Sequence, residues 1–145
     1  MDLTVPTGTS YTIIDDWFAT PNPPYHENTG QWNLGAGAGG GIYTATTNQI
    51  LDIRADISWM GGISNVGTRE MQIVYYPGGV GPIFVVCDSV MQASATTSFP
   101  TVQSLQNKLR LLSTDQVWVQ IRHTAPVALT IAGDDTNCIN GSSMV

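Results

Sequence analysis

The chain has 145 residues, enough for one domain with a sizeable core, and only 11% of them are charged, against the roughly 25% usual in globular proteins. Five basic residues against eleven acidic ones give a net charge of −6, which repels phosphate backbones and argues against nucleic-acid binding. No apolar run reaches the roughly 18 residues of a membrane-spanning helix, and the opening MDLTVPTGTS lacks the basic start and apolar stretch of a signal peptide. The expectation is therefore a protein made in the cytoplasm, with no membrane partner. Its Thr-, Ser-, Asn- and Gly-rich surface should be partly buried against other subunits.

Taken in order, residues 1–10 read as a short polar arm, and 11–145 as a single domain. Tyr11 and Ile13 are apolar anchors of an edge strand, with Trp17 and Phe18 beyond the acidic pair Asp15 and Asp16. Pro21, Pro23 and Pro24 forbid regular structure in the loop that follows. Gln31, Trp32 and Asn33 have the makings of a brief strand before the run GAGAGGG from Gly35 to Gly41. A phosphate-cradling loop needs a Lys with Ser or Thr after it and a helix behind it. Here the chain runs on into Ile42, Tyr43 and Thr44, which favour a strand, so the glycines read as a packed or flexible loop.

The segment Gln49 to Trp59 alternates cleanly. Leu51, Ile53, Ala55, Ile57 and Trp59 share one face, and Asp52, Arg54, Asp56 and Ser58 share the other. Met71, Ile73 and Tyr75 mark another strand, and the turn from Pro77 to Pro82 leads into Ile83 to Cys87, a continuous apolar run suited to a sandwich interior. Between Ser104 and Leu112 the leucines at 105, 109 and 112 have helical spacing, but the piece is short and flanked by strands, which favours a strand. From Gln116 to Arg122 the period of two returns: Val117, Val119 and Ile121 face a core, while Trp118, Gln120 and Arg122 point away. The polar turn Ser113, Thr114 and Asp115 precedes this strand. Pro126 breaks it, and Val127, Leu129 and Ile131 alternate again as the second arm of a hairpin. Short strands joined by regularly spaced turn signals, with no internal repeat, indicate an all-β antiparallel sandwich.

Three stretches resemble the C1q/TNF-like family of jelly rolls. Ile42 to Ala45 followed by ILDIRADISW looks like the family's phenylalanine-centred strand and its Gly-x-Tyr-x-Phe strand. LLSTDQVWVQI is similar to its leucine, turn, Gly-Asp, valine strand, with Thr114 in place of the glycine. ALTIAGDDTNCINGSSMV looks like its closing pair of strands, with Ile139 in place of phenylalanine. The resemblance implies a compact homotrimer, with Leu51, Ile53, Ile57, Trp59, Val117, Trp118, Val119 and Ile121 on its core or trimer-forming strands.

Catalysis needs a nucleophile, a base and an orienting group within reach. His26 sits in the proline loop and His123 at a strand end, and no nucleophile elbow, zinc pattern or dyad spacing joins them to the Ser and Asp residues. No catalytic, cofactor or metal residue is assigned, and no enzyme activity is expected. Some members of the family hold calcium, and Asp134, Asp135, Asn137 and Asn140 could supply oxygens, but their spacing lacks EF-hand geometry and reads as a polar turn. Trp17, Trp32, Tyr25 and Tyr43 could line a sugar site, although scattered aromatics in a sandwich are more often core or subunit contacts. Cys87 and Cys138 read as reduced thiols, a disulfide being the alternative if their Cα atoms lie within roughly 7 Å.

Receptor-binding members of the family usually carry a stalk, and secreted ones a signal peptide. A chain with neither, rich in Thr, Gly and Asn, resembles the decoration or cement proteins of viral capsids, bacteriophage capsids among them. That resemblance implies a homotrimer on the outer capsid surface of the virion, with the major capsid protein as partner. The arm residues Asp2, Leu3, Thr4, Val5 and Pro6, loosely held on their own trimer, are the expected capsid contact. The trimeric head of a viral fibre or spike, binding a host glycan or protein, is the alternative, and a secreted ligand is a third reading.

Overall fold

The computed structural model describes residues 3–14, 32–33, 41–60, 65–93, 101–131 and 138–144, the side chains of 9, 32–33 and 138–144 excepted. In chain order the strands are β1 (Leu3–Val5), β2 (Gly8–Ile13), β3 (Trp32–Asn33), β4 (Ile42–Thr44), β5 (Gln49–Trp59), β6 (Thr68–Tyr76), β7 (Phe84–Gln92), β8 (Thr101–Leu111), β9 (Gln116–His123), β10 (Leu129–Ile131) and β11 (Cys138–Met144). A 3-10 turn at Pro77–Gly79 joins β6 to β7.

Two sheets result, and every pairing is antiparallel. In the first, β5 pairs with β8 along its whole length, from Gln49 opposite Leu111 to Trp59 opposite Thr101. Its other edge takes β11 and then β10, and β1 lies outside β10. In the second, β9 is central, with β6 and then β7 on one side and with β4, β3 and β2 on the other. The alternating rows of the two central strands face each other. Leu51, Ile53, Ala55 and Ile57 from β5 and Val117, Val119 and Ile121 from β9 are all 0% exposed. Each fully buried aliphatic contributes about 1.5 to 3 kcal/mol, so this inter-sheet layer is the main source of stability. Met71, Ile73, Leu111, Leu129, Ile131 and Tyr43 complete it.

Three expectations are corrected. Most of the apolar run from Ile83 to Cys87 is not interior: Ile83, Phe84 and Val85 are 55%, 49% and 51% exposed, because among the described strands β7 has only β6 beside it, while Val86 and Cys87 are partly buried against the core. Segments β9 and β10 are not a hairpin. The break at Pro126 sends the chain across to the other sheet, where β10 pairs with β5 and β1, and Val127 is left exposed. The described part of the arm is not loose, since Leu3, Thr4 and Val5 pair with Ile131, Thr130 and Leu129, and Val5 is fully buried. His123 ends β9, at the strand end expected, and is buried in the core. The leucine spacing between 105 and 112 belongs to a strand, β8, as favoured from its flanks.

One acidic side chain organises the turns at one end of the sandwich. Asp115, almost fully buried, accepts hydrogen bonds from Gly78 N–H (2.7 Å), Leu112 N–H (2.8 Å) and the Tyr75 hydroxyl (2.8 Å). Burial pushes its carboxyl up, but these donors together hold it below the usual carboxylate range. The residue before it, Thr114, has φ +77°, the left-handed region that a β-branched residue enters only under strain.

Val119→Ala should cost about 1 to 4 kcal/mol through lost burial and a cavity. Gln120→Ala removes one hydrogen bond to Gln72 and one from Trp118, so it should cost about 1 kcal/mol. Urea denaturation giving equal losses would mean a register slipped by one residue. Thr114→Gly should add about 1 kcal/mol by relieving the left-handed backbone. Asp115→Ala should subtract about 3 kcal/mol. Because the folded carboxyl titrates below its unfolded value, the stability it contributes is complete above about pH 4 and is lost as pH falls further. The variant should therefore show a flatter acid limb in thermal melts.

Candidate interaction surface

Three surfaces carry the chemistry of the described residues. The first is the edge formed by β7 and β8, where the sandwich opens. Two side-chain amides from β8 close it: Gln103 Nε2 donates to the Ser89 carbonyl at 3.2 Å, and Asn107 Nδ2 donates to the Val86 carbonyl at 2.8 Å. Around this seam lie Phe84, Val85, Val90, Met91 and Val102, all exposed. Single exposed apolar residues are ordinary, but here five lie on the two strands that flank one seam, which gives this edge apolar side chains to offer a protein contact. Cys87 lies in the same seam as a free, half-buried thiol with its Sγ 3.8 Å from the Gln106 carbonyl.

The outward face of β5 and β8 is the second surface. It gathers Asp52, Arg54, Asp56, Lys108 and Arg110, three of the chain's five basic residues among them. Arg54 pairs with Asp56 at 2.9 Å, and Ser104 and Gln106 donate to Asp56 and Asp52. Arg54 is largely exposed, so this ion pair adds little to stability.

The third is the outward face of β9, β6 and β2, which carries a polar ladder. Glu70 accepts from the Tyr11 hydroxyl (2.9 Å), from Gln72 Nε2 (3.0 Å) and from Arg122 Nε, and the Arg122 guanidinium lies 4.5 Å over the Tyr11 ring. The ladder continues through Gln72 and Gln120 to the Trp118 indole, whose ring meets Tyr76 edge-on at 5.8 Å. The bond to Glu70 raises Arg122, while burial and the same carboxylate raise the Tyr11 phenol. At pH 7 the guanidinium and the phenol are both protonated, so the ladder is fully formed.

Of the residues singled out from sequence, Leu51, Ile53, Ile57, Trp59, Val117, Val119 and Ile121 come together in the core, and Trp118 is buried on the opposite face of β9. Leu3, Thr4 and Val5 are engaged with β10, Pro6 is exposed at the corner before β2, and Asp2 lies outside the described residues. Also outside are His26, Trp17, Tyr25 and the calcium candidates Asp134, Asp135 and Asn137, while Asn140 and Trp32 are placed by backbone only. Tyr43 is a core residue. The β7 edge and the bridging amides were missed. Apolar content reads as interior unless edge position is known, and the only local signal was Asp88 and Ser89 interrupting the run.

No protein-family model matches the chain, and no curated protein matches it in sequence. Solved structures do. Eiger TNF from S. frugiperda superposes with a TM-score of 0.65 at 12% identity, covering 99% of this chain and 85% of that one. The fold is the C1q/TNF-like jelly roll. The globular domain of zebrafish complement 1qA gives 0.53 at 13% identity over 97% and 94% of the two chains, and murine APRIL at pH 5.0 gives 0.57 at 11% over 73% and 74%. At these identities the likeness is one of architecture.

Glu70→Ala would strip Arg122, Tyr11 and Gln72 of a common acceptor. It should cost about 1 to 3 kcal/mol in denaturant titration. It should also leave the far-UV circular dichroism unchanged, since the ladder lies outside the core.

Proposed function

We propose that this chain is the protomer of a homotrimeric, non-enzymatic structural protein of a virus particle, a decoration or cement protein that binds the capsid shell. The observation that carries the trimer is the set of exposed apolar side chains on β7, which among the described strands has only β6 beside it, and on the neighbouring β8. A neighbouring copy covering those side chains would bury them, and three such head-to-tail contacts related by a three-fold rotation close a ring. The jelly-roll architecture and the charge-poor composition favour the same reading. His123, the only histidine among the described residues, has both ring nitrogens on main-chain groups and so is not placed to serve a nucleophile as a base.

Attachment by a free N-terminal arm is disfavoured for Leu3 to Val5, whose backbone is spent on β10. Capsid contact would then fall to the exposed faces of the trimer, each weak contact multiplied by symmetry. The second reading, the trimeric head of a viral fibre or spike, is favoured by the outward ladder of Tyr11, Gln72, Gln120, Arg122 and Tyr76. Such a row of aromatic and amide groups suits a polar ligand such as a glycan.

Light scattering on the purified chain should return a mass three times 15.5 kDa. The double variant Val85→Glu with Val90→Glu should return the monomer mass while keeping its strand content. A wild-type monomer would sink the trimer. Co-sedimentation with undecorated particles supports decoration, whereas binding to cell-surface glycans without particle binding moves the assignment to the fibre head.

A further inference from the structure

From Pro77 to Ile83 the chain reads PGGVGPI, a turn without one polar side chain. Turns at a protein surface ordinarily carry Asn, Asp or Ser, whose side chains hydrogen-bond the local backbone. This tip stands out in water all the same: Val80 is 71% exposed, and Pro82 and Ile83 are exposed with it. Leu112, also exposed, lies in the neighbouring turn between β8 and β9. The Asp115 carboxylate ties the two turns together through Gly78 N–H and Leu112 N–H. A methyl group on Gly78 would stand 3.8 Å from Thr114 Oγ1 and 3.9 Å from Val80 Cγ2, so the turns are in contact as well. At the base of the tip the Tyr75 hydroxyl bonds the same carboxylate, and the Tyr75 and Phe84 rings stack at 6.3 Å. The tip is held in shape before it meets anything, which lowers the entropy it loses on binding.

Its backbone and its charged neighbours point to the kind of partner. Pro77 and Pro82 have no N–H, Gly78 N–H is on Asp115, and Val80 N–H donates to the Pro77 carbonyl at 3.1 Å. At those four positions no donor is stranded when the tip leaves water. Of the five basic residues, Arg69 is buried, Arg122 is bonded to Glu70 and Arg54 to Asp56. Lys108 and Arg110 are exposed, and among the described residues neither has an ion pair. Both lie toward the end of β8 that enters the Leu112 turn. Arg110 stands opposite Ile50 and Lys108 opposite Asp52, whose carboxylate accepts from Gln106, and Asp115 at this end is buried. In a chain of net charge −6, the end that carries the apolar tip thus presents two cations. A protein pocket is usually anchored by Trp, Tyr or Arg with directed hydrogen bonds, whereas this tip offers aliphatic, Gly and Pro surface. An anionic bilayer takes just such an apolar point at the boundary of headgroups and acyl chains, with Lys and Arg beside it to meet the headgroups.

We propose that the turn between β6 and β7, with Leu112, Lys108 and Arg110 beside it, docks this protein on the surface of an anionic lipid bilayer. Val80 and Ile83 enter the boundary of headgroups and acyl chains, and the two cations hold the headgroups around them. No helix among the described residues is long and apolar enough to cross a membrane, and a surface contact needs none. One such tip binds weakly. In a homotrimer, rotation about a single axis sets three tips at one level, so that three weak contacts act together. The proposal rests on the chemistry of the tip within one protomer and does not depend on the capsid reading.

The test is co-sedimentation of the full chain with vesicles of phosphatidylcholine alone and with vesicles that also hold about 30% phosphatidylserine. The anionic vesicles should bind about tenfold more tightly than the neutral ones, and about 0.5 M salt should remove most of that difference. Val80→Ser with Ile83→Ser, and separately Lys108→Gln with Arg110→Gln, should each weaken binding to anionic vesicles about tenfold. Val127→Ser, at an exposed aliphatic beyond the other end of β9, should leave it unchanged. Val80→Trp should gain an emission component that bromine on the lipid acyl chains quenches. All these side chains are exposed, so the variants keep the fold. A wild-type chain that ignores anionic vesicles, a Val80 and Ile83 variant that binds them as well as wild type, or a tryptophan at the tip that bromine does not quench would each overturn the proposal. So would a tip variant that keeps vesicle binding but no longer co-sediments with undecorated particles, which would assign the tip to protein docking. The vesicle assay contains no particle, so its failure leaves the capsid reading standing.

Discussion

The structure depends on one contact: the aliphatic row of β5 lying against that of β9. Each strand is central in its sheet, so both of its edges are hydrogen-bonded and every inward residue is covered. The other strands are placed by pairing outward from these two. At the periphery β7 has less apolar burial, and many of its side chains become surface chemistry. A shift of one residue in either central strand would turn Asp52, Arg54 and Asp56, or Trp118, Gln120 and Arg122, into the core. The cost of desolvating those groups is what makes the register unique.

Polar side chains then do what aliphatic packing cannot, which is to join the sheets at particular points. Gln103 accepts from the Trp59 indole and donates to the Arg69 and Ser89 carbonyls, so one amide spans both sheets. Arg69 donates to the Val66 and Thr68 carbonyls and rests on Trp59, and burial lowers its guanidinium from its ordinary range without discharging it. Such a network is satisfied only in one arrangement of the sheets. Asp115 plays the same part at the turn end of the sandwich.

Periodicity made much of this legible in advance. The bounds of β5, the core faces of β5 and β9, the brief strand at Trp32 and the sandwich class all follow from alternation and turn residues. Thr114 was legible as a departure from a Gly-Asp turn, and it stands in the left-handed region where glycine would be relaxed. What alternation cannot tell is which sheet a strand joins. Val127, Leu129 and Ile131 looked like the return of a hairpin because a period of two is the same in either sheet, and Ile83 to Val85 looked interior because apolar content says nothing of edge position. The polar arm was misread for a related reason: three residues suffice to pair with β10 when one of them, Val5, is apolar and meets the core.

The two amides that bridge the open seam have a further consequence. Edge strands recruit other strands because their carbonyls and N–H groups stand unpaired, and this is the usual route from a folded β protein to a growing fibre. On β7 the carbonyls of Val86 and Ser89 are already occupied by Asn107 and Gln103. A neighbour approaching this edge finds apolar side chains to pack against and an interrupted ladder to pair with. The contact it can make is one of fitted surfaces, which ends when the surfaces are covered, and not one of strand addition, which has no natural end.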